Sequence, residues 1–195
     1  MSTPQRRRRT RTDAERNRDR VLEAARALFA ESGHDVQMSE VARAAGVGIG
    51  TLYRKFPTRE ALIEAIAEHR AADLVVAARR LADADADSDA DSDDQAQGLT
   101  GFLYHVGEVL AGDRGMSEVI GTVMGSAEPR GETREALLAV IAELIDRARA
   151  RGAVGQDVTA GDVNMVICGL AAVIRNAAGD WRRYVEVTLD GLRPR

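Results

Sequence analysis

Residues 36 to 56, Val-Gln-Met-Ser-Glu-Val-Ala-Arg-Ala-Ala-Gly-Val-Gly-Ile-Gly-Thr-Leu-Tyr-Arg-Lys-Phe, hold the side chains best suited to a specific chemistry, and that chemistry is noncovalent. Gln37 and Ser39 offer hydrogen-bonding groups. Gly48, Ile49, Gly50 and Thr51 make a slender tip of small and apolar residues. Tyr53, Arg54, Lys55, Thr58 and Arg59 follow with a phenol, a hydroxyl and three cations. Two very short helices joined at Gly46 and ending in this aromatic and basic cluster follow the plan of a helix-turn-helix, whose second helix enters the DNA major groove. Gly48 and Gly50 would bring backbone near the groove. Tyr53, Lys55 and Arg59 carry donors suited to phosphate, and Thr58 and Arg59 open a further helix whose first amides favour an anion. The tip holds few side chains able to pair a base edge with two hydrogen bonds, so specificity has to lean on apolar contacts, DNA shape and whatever precedes the first helix.

Other groupings are weaker. The spacing of Gly46, Gly48, Gly50 and Thr51 suggests a phosphate-cradling loop, but no strand precedes it and no Gly-Lys-Ser/Thr ending follows. His34, His69 and His105 have no partners at metal-ligand spacing, so no metal and no cofactor is expected. The acidic run over residues 83–94 has serine at the sixth position of a calcium loop, where glycine is needed. No Ser/His/Asp order or carboxylate pair stands out, so no catalytic residue and no enzyme is expected. Cys168, the only cysteine, sits among Ile167, Leu170 and Ala171 and reads as a buried, inert thiol; it cannot form an internal disulfide, which fits a reducing cytoplasm.

Helices must position this tip. Thr12 and Glu15 form a capping box, so a helix is expected from about Asp13, with Val21, Leu22, Ala25, Leu28 and Phe29 on one face and Gly33 as its stop. Short helices then span about 38–45 and 49–54. Thr58 can cap a fourth, carrying Leu62, Ile66 and Leu74. Further 3.6-residue patterns begin at Leu99, Met116, Leu137, Val163 and Trp181, and no strand pattern appears, so the fold class is all-α with about nine helices. No apolar run approaches the roughly 18 residues that cross a bilayer, and the arginine-rich start lacks the apolar stretch of a secretory signal.

Charge is unevenly spread. Residues 1–60 carry 13 basic and 8 acidic groups, whereas the rest carry 14 and 23. A basic end beside the tip is the footprint that a phosphate backbone demands. The expected organisation is a disordered Arg-rich arm over 1–12, a helix-turn-helix domain over 13–60, and a helical ligand-binding and dimerisation domain over 61–195 with an acidic loop at 83–98.

The runs Val21-Leu22-Glu23-Ala24-Ala25, Leu28-Phe29, Val41-Ala42, Ala45-Gly46-Val47 and Gly50-Thr51-Leu52-Tyr53 with Phe56 resemble the tetracycline-repressor (TetR-type) family of bacterial transcriptional regulators, over about residues 15 to 65. The family's usual Thr or Ser at the opening of the second helix is replaced by Gln37 and Met38. The resemblance implies a dimeric, cytoplasmic repressor released from a palindromic operator by a small effector. An activator or an effector-independent regulator is the alternative, and a helical ligand-binding or enzymatic domain that kept the motif is a further one. It also implies that the later helices form a ligand cavity and the last two a dimer interface. For an apolar or aromatic ligand the expected lining is Phe102, His105, Val106, Val109, Met116, Ile120, Met124, Leu138, Ile141 and Ile145. The expected interface is Val166, Leu170, Ile174, Trp181, Val185, Leu189 and Leu192.

Overall fold

The computed structural model describes residues 4–86, 96–124 and 131–194, with side chains at all of these except 4–15, 86 and 124. Helices α1 (Pro4–Ser32), α2 (Met38–Ala44), α3 (Ile49–Lys55) and α4 (Arg59–Ala86) come first, with a 3-10 turn at Gly33–Asp35. They are followed by α5 (Gln97–Gly112), α6 (Arg114–Met124), α7 (Gly131–Ala150), α8 (Ala160–Arg175) and α9 (Trp181–Gly191). Among the described residues there is no strand, and no helix is long and apolar enough to cross a membrane.

Several helix ends fall where local chemistry puts them. Gly33 takes a positive φ of 59° at the end of α1. The Thr58 hydroxyl accepts from the Ala61 amide at 3.1 Å and opens α4. Thr159 caps α8, its hydroxyl accepting from the Asp162 amide while the Asp162 carboxylate accepts from the Thr159 amide at 2.8 Å. The Thr159 hydroxyl also donates to Asp162 Oδ2 at 2.6 Å, and this bond foremost, with that from the Thr159 amide, holds the Asp162 carboxyl below its usual range.

Two ends differ from the sequence reading. Helix α1 begins at Pro4, so the arm expected to be disordered over 1–12 is helical from residue 4. Proline suits the first helical position, arginine is a good helix former, and neither glycine nor a second proline intervenes before Gly33. At the other end of the head, α4 continues to Ala86, into the segment expected to be an acidic loop from 83. Alanine favours the helix, and Asp85 is buried. Its Oδ1 accepts from Arg151 Nη1 at 2.6 Å and from the Gly98 amide at 3.2 Å, while its carbonyl accepts from Arg151 Nη2 at 2.7 Å. Residues 87–95 of the expected loop lie outside the described residues.

The apolar residues gather into two cores. The head core joins Val21, Leu22, Ala25 and Phe29 of α1 to α2, α3 and the first turns of α4, and it also takes Met116, Val119 and Ile120 of α6. The body core joins Ala78 and Ala82 of α4 to α5, α7, α8 and Val185 of α9. Helix α4 therefore runs through both, and the cores divide the chain differently from the expected cut after residue 60. Between them lies a polar brace. Arg26 Nε of α1 donates to Asp113 Oδ2 at 2.5 Å. Buried Arg70 of α4 donates to the Ser117 hydroxyl and to the Val109 carbonyl, both at 3.0 Å. Burial pulls the Arg70 pKa down from its ordinary value, nearby Asp113 raises it, and Arg26 lowers it. Next to this brace α6 meets α1 backbone to backbone: a Cβ at Gly115 would lie 2.5 Å from the Ala30 carbonyl oxygen, so only glycine fits.

Removing Asp85 leaves the half-buried Arg151 without this partner. Asp85→Ala is expected to lower stability by about 3 kcal/mol, and Asp85→Ala with Arg151→Met to recover part of that loss. Urea unfolding of the two variants and the parent protein checks both.

Candidate nucleic-acid interface

The tip is built on two helices of seven residues each, too short to be stable alone, so packing must hold them. Helix α2 buries Met38, Val41 and Ala42; α3 buries Leu52, and Phe56 follows into the same core as Phe29 and Leu22. The Gln37 amide donates to Glu40 Oε2 at 2.8 Å and sets the start of α2. Its end closes as a Schellman turn: the Gly46 amide donates to the Arg43 carbonyl at 3.2 Å and the Val47 amide to the Ala42 carbonyl at 3.0 Å. The turn needs φ of +64° at Gly46, which a side chain resists.

This bracing turns one stripe of α3 outward. Ile49 is 45% exposed and Tyr53 47%, with Gly50 and Arg54 exposed beside them. Gly48 before the helix and Ser39 and Arg43 on α2 are also exposed, whereas Thr51 and Lys55 flank the stripe half-buried. Gln37 is exposed, its side-chain amide donating to the Asp35 carbonyl at 3.3 Å. Thr58 is exposed, but its hydroxyl is engaged in capping α4. The expected DNA-facing residues thus lie together on one end of the head, with one exception.

Arg59 turns inward. Its Nη2 donates to the His34 carbonyl at 2.6 Å, its guanidinium lies 5.1 Å from the centre of the Phe29 ring, and its Nε is buried without a hydrogen-bond partner. The Cβ of a first-turn residue points back along the helix, here toward the α1–α2 turn, so this arginine braces the head. Arg18 of α1, which the sequence reading passed over, is exposed with its guanidinium 5.5 Å from the centre of the Phe56 ring. Nothing local in the sequence links those two residues.

The expected ligand residues divide between the cores. Phe102, Val106, Ile141 and Ile145 are buried in the body core, and His105, Val109 and Leu138 are half-buried. Met116 and Ile120 belong instead to the head core, because α6 turns that face toward α1; the side chain of Met124 lies outside the described residues. A surface cavity of about 600 Å³ sits elsewhere, lined by residues that include Thr100, Val154, Arg183, Leu189 and Arg193, and none of the ten expected residues lines it.

The expected interface stripe also faces inward. Val166, Leu170, Ile174 and Val185 are buried in the chain's own core, and Trp181, Leu189 and Leu192 pack against it, Trp181 edge-on to Tyr104 at 6.1 Å. The other side of these helices is the open one: Met165 is 66% exposed, Val187 54%, and Cys168 is exposed, contrary to the buried thiol expected.

The turn's backbone gives a direct test. Around Gly46 a Cβ would meet nothing within 4 Å, so the cost of Gly46→Ala is conformational alone, about 1–2 kcal/mol, and should appear as a lowered midpoint in thermal unfolding.

Comparison with known proteins matches both parts of the chain. Residues 21–66 match the family described as bacterial regulatory proteins, tetR family, and residues 94–194 match the C-terminal domain of SbtR-like transcriptional regulators. Over 56 residues the chain is 43% identical to the HTH-type transcriptional regulator UidR of Escherichia coli strain K12, a match spanning 28% of this chain and 29% of that protein. The crystal structure of the TetR transcription regulatory protein from Mycobacterium vanbaalenii is 34% identical, with a TM-score of 0.63 over 94% of this chain and 99% of the other. That of a TetR transcriptional regulator from Streptomyces coelicolor is 32% identical, with a TM-score of 0.63 over 91% and 98%. With its helical head and its helical body each matched, and with relatives above 30% identity along nearly its whole length, the chain belongs to the TetR family of bacterial regulatory proteins.

Proposed function

We propose that this chain is a cytoplasmic, homodimeric DNA-binding transcriptional regulator without catalytic activity, a repressor released from a palindromic operator by a small apolar or aromatic effector. The outward stripe of α3 carries the reading: Ile49, Gly50, Tyr53 and Arg54 are exposed on a tip that most of the head core serves to hold. The Tyr53 hydroxyl and Lys55, with Gln37, Ser39 and Arg18 nearby, supply the donors for phosphate, and the excess of basic residues in the first 60 attracts the duplex.

A single head offers few contacts, so useful affinity calls for two. The open face of α8 and α9, with Met165, Cys168 and Val187, is our choice for the surface that pairs with a second copy. A twofold dimer of this kind would set its recognition helices about 34 Å apart, one turn of DNA. The effector would act through the body core. Helix α4 spans both cores and α6 plants Met116, Val119 and Ile120 in the head, so a ligand that parts α5 from α7 shifts the heads. Its leverage equals its difference in affinity between the two arrangements.

Binding to a duplex selected from random DNA, followed by fluorescence anisotropy against salt, tests the reading. Tyr53→Phe with Lys55→Gln is expected to weaken binding at least tenfold on selected and unrelated DNA alike. Loss of one lysine–phosphate contact per head should make the salt slope shallower by roughly 1.8 per dimer. Full affinity in this variant would remove both residues from the interface. Met165→Asp should raise the dimer dissociation constant at least tenfold in sedimentation equilibrium, with helix content unchanged; an unaltered dimer would place the interface elsewhere.

A further inference from the structure

The geometry points to Ile49 as a thymine reader, its side chain packing on a C5-methyl group in the major groove of each half-site and so setting part of the sequence the protein prefers. This inference rests on the DNA-binding reading above.

An exposed isoleucine is a costly choice where it stands. Isoleucine has only moderate helix propensity, and α3 has two turns in which to recover the loss. Leu52 is buried, and a helix turns 100° per residue, so residues 50, 53 and 54 face away from the core while Ile49 lies about 60° from Leu52, at the edge of the outward face. Ile49 is nonetheless outside the head core, and nearly half its surface meets solvent one turn before Tyr53. Of the other exposed large aliphatic residues, Met165 and Val187 lie on the face assigned to the second copy and Val76 lies on α4; Ile49 lies on the face assigned to DNA.

What the tip lacks decides the kind of contact. Reading guanine with two hydrogen bonds takes arginine or lysine, and reading adenine takes asparagine or glutamine. Gly48, Ile49, Gly50 and Thr51 include none of these, and the cations of α3, Arg54 and Lys55, stand in its last turn. A branched apolar side chain complements one feature of a base pair in the major groove, the thymine methyl. The neighbour in the stripe favours the approach: a Cβ at Gly50 would stand in open space, and with none there no side chain holds the backbone off the bases.

The wild-type protein first selects a duplex from a random-sequence pool. Each thymine is then replaced by deoxyuridine in both half-sites together, which removes the methyl group and keeps the pairing, and affinity is read by anisotropy. At one position the wild-type protein is expected to lose about fourfold per methyl, so about 15-fold for the symmetric pair. Ile49→Ala should bind the thymine duplex about as weakly as the wild type binds the uracil duplex, and should be indifferent to uracil at that position. Because Ile49 is exposed and alanine is the better helix former, unchanged circular dichroism and melting are expected. A selected duplex that tolerates uracil at every thymine overturns the inference, as does an Ile49→Ala protein that keeps the whole uracil penalty; either result leaves the DNA-binding reading standing. A pool that yields no enriched duplex overturns that reading and this inference with it.

Discussion

Two helices of seven residues cannot hold their own shape in water, and the rest of the head answers that constraint. Phe29, Leu52 and Phe56 sit at the centre of the answer, buried where α1, α3 and α4 converge. Because those side chains occupy the inner face, the outer face of α3 is free of packing duties. Ile49 and Tyr53 can then be chosen for what they touch outside the chain. The Schellman turn at Gly46 sets the angle between the two short helices without spending a side chain on it.

The same economy links head to body. A separate linker would let the two move independently; here α4 is one helix through both cores, and α6 lends the head three apolar side chains. Between the cores the contacts turn polar and close. Arg26 meets Asp113, Arg70 reaches both Ser117 and the end of α5, and Gly115 lets α6 lie on the α1 backbone. Buried charged groups are costly to leave unpaired, so this junction favours discrete arrangements over gradual bending.

Much of the tip was legible because its signals are local. Glycine punctuation, capping residues and the 3.6-residue spacing of apolar positions depend on neighbours within four or five residues, and they placed α2 and α3 to within a residue. The surroundings of Arg59 were not legible, for the opposite reason. Its type and position suit phosphate, but the His34 carbonyl and the Phe29 ring lie within reach only once the chain has folded. Asp85 reads as one more solvated acid in a repetitive run until Arg151, far along the sequence, meets it.

The amino-acid order alone determined the all-α class, the succession of helices and the identity of the outward tip, since each follows from periodicity and turn chemistry along the chain. Which way each amphipathic face points was decided only by tertiary structure. Val166, Leu170, Ile174 and Val185 could equally have met a second copy, and Met116 and Ile120 a ligand; the fold directs the first set into the body core and the second into the head core. An apolar stripe specifies burial but not its partner, because the hydrophobic effect is non-directional and every apolar surface in reach competes for it.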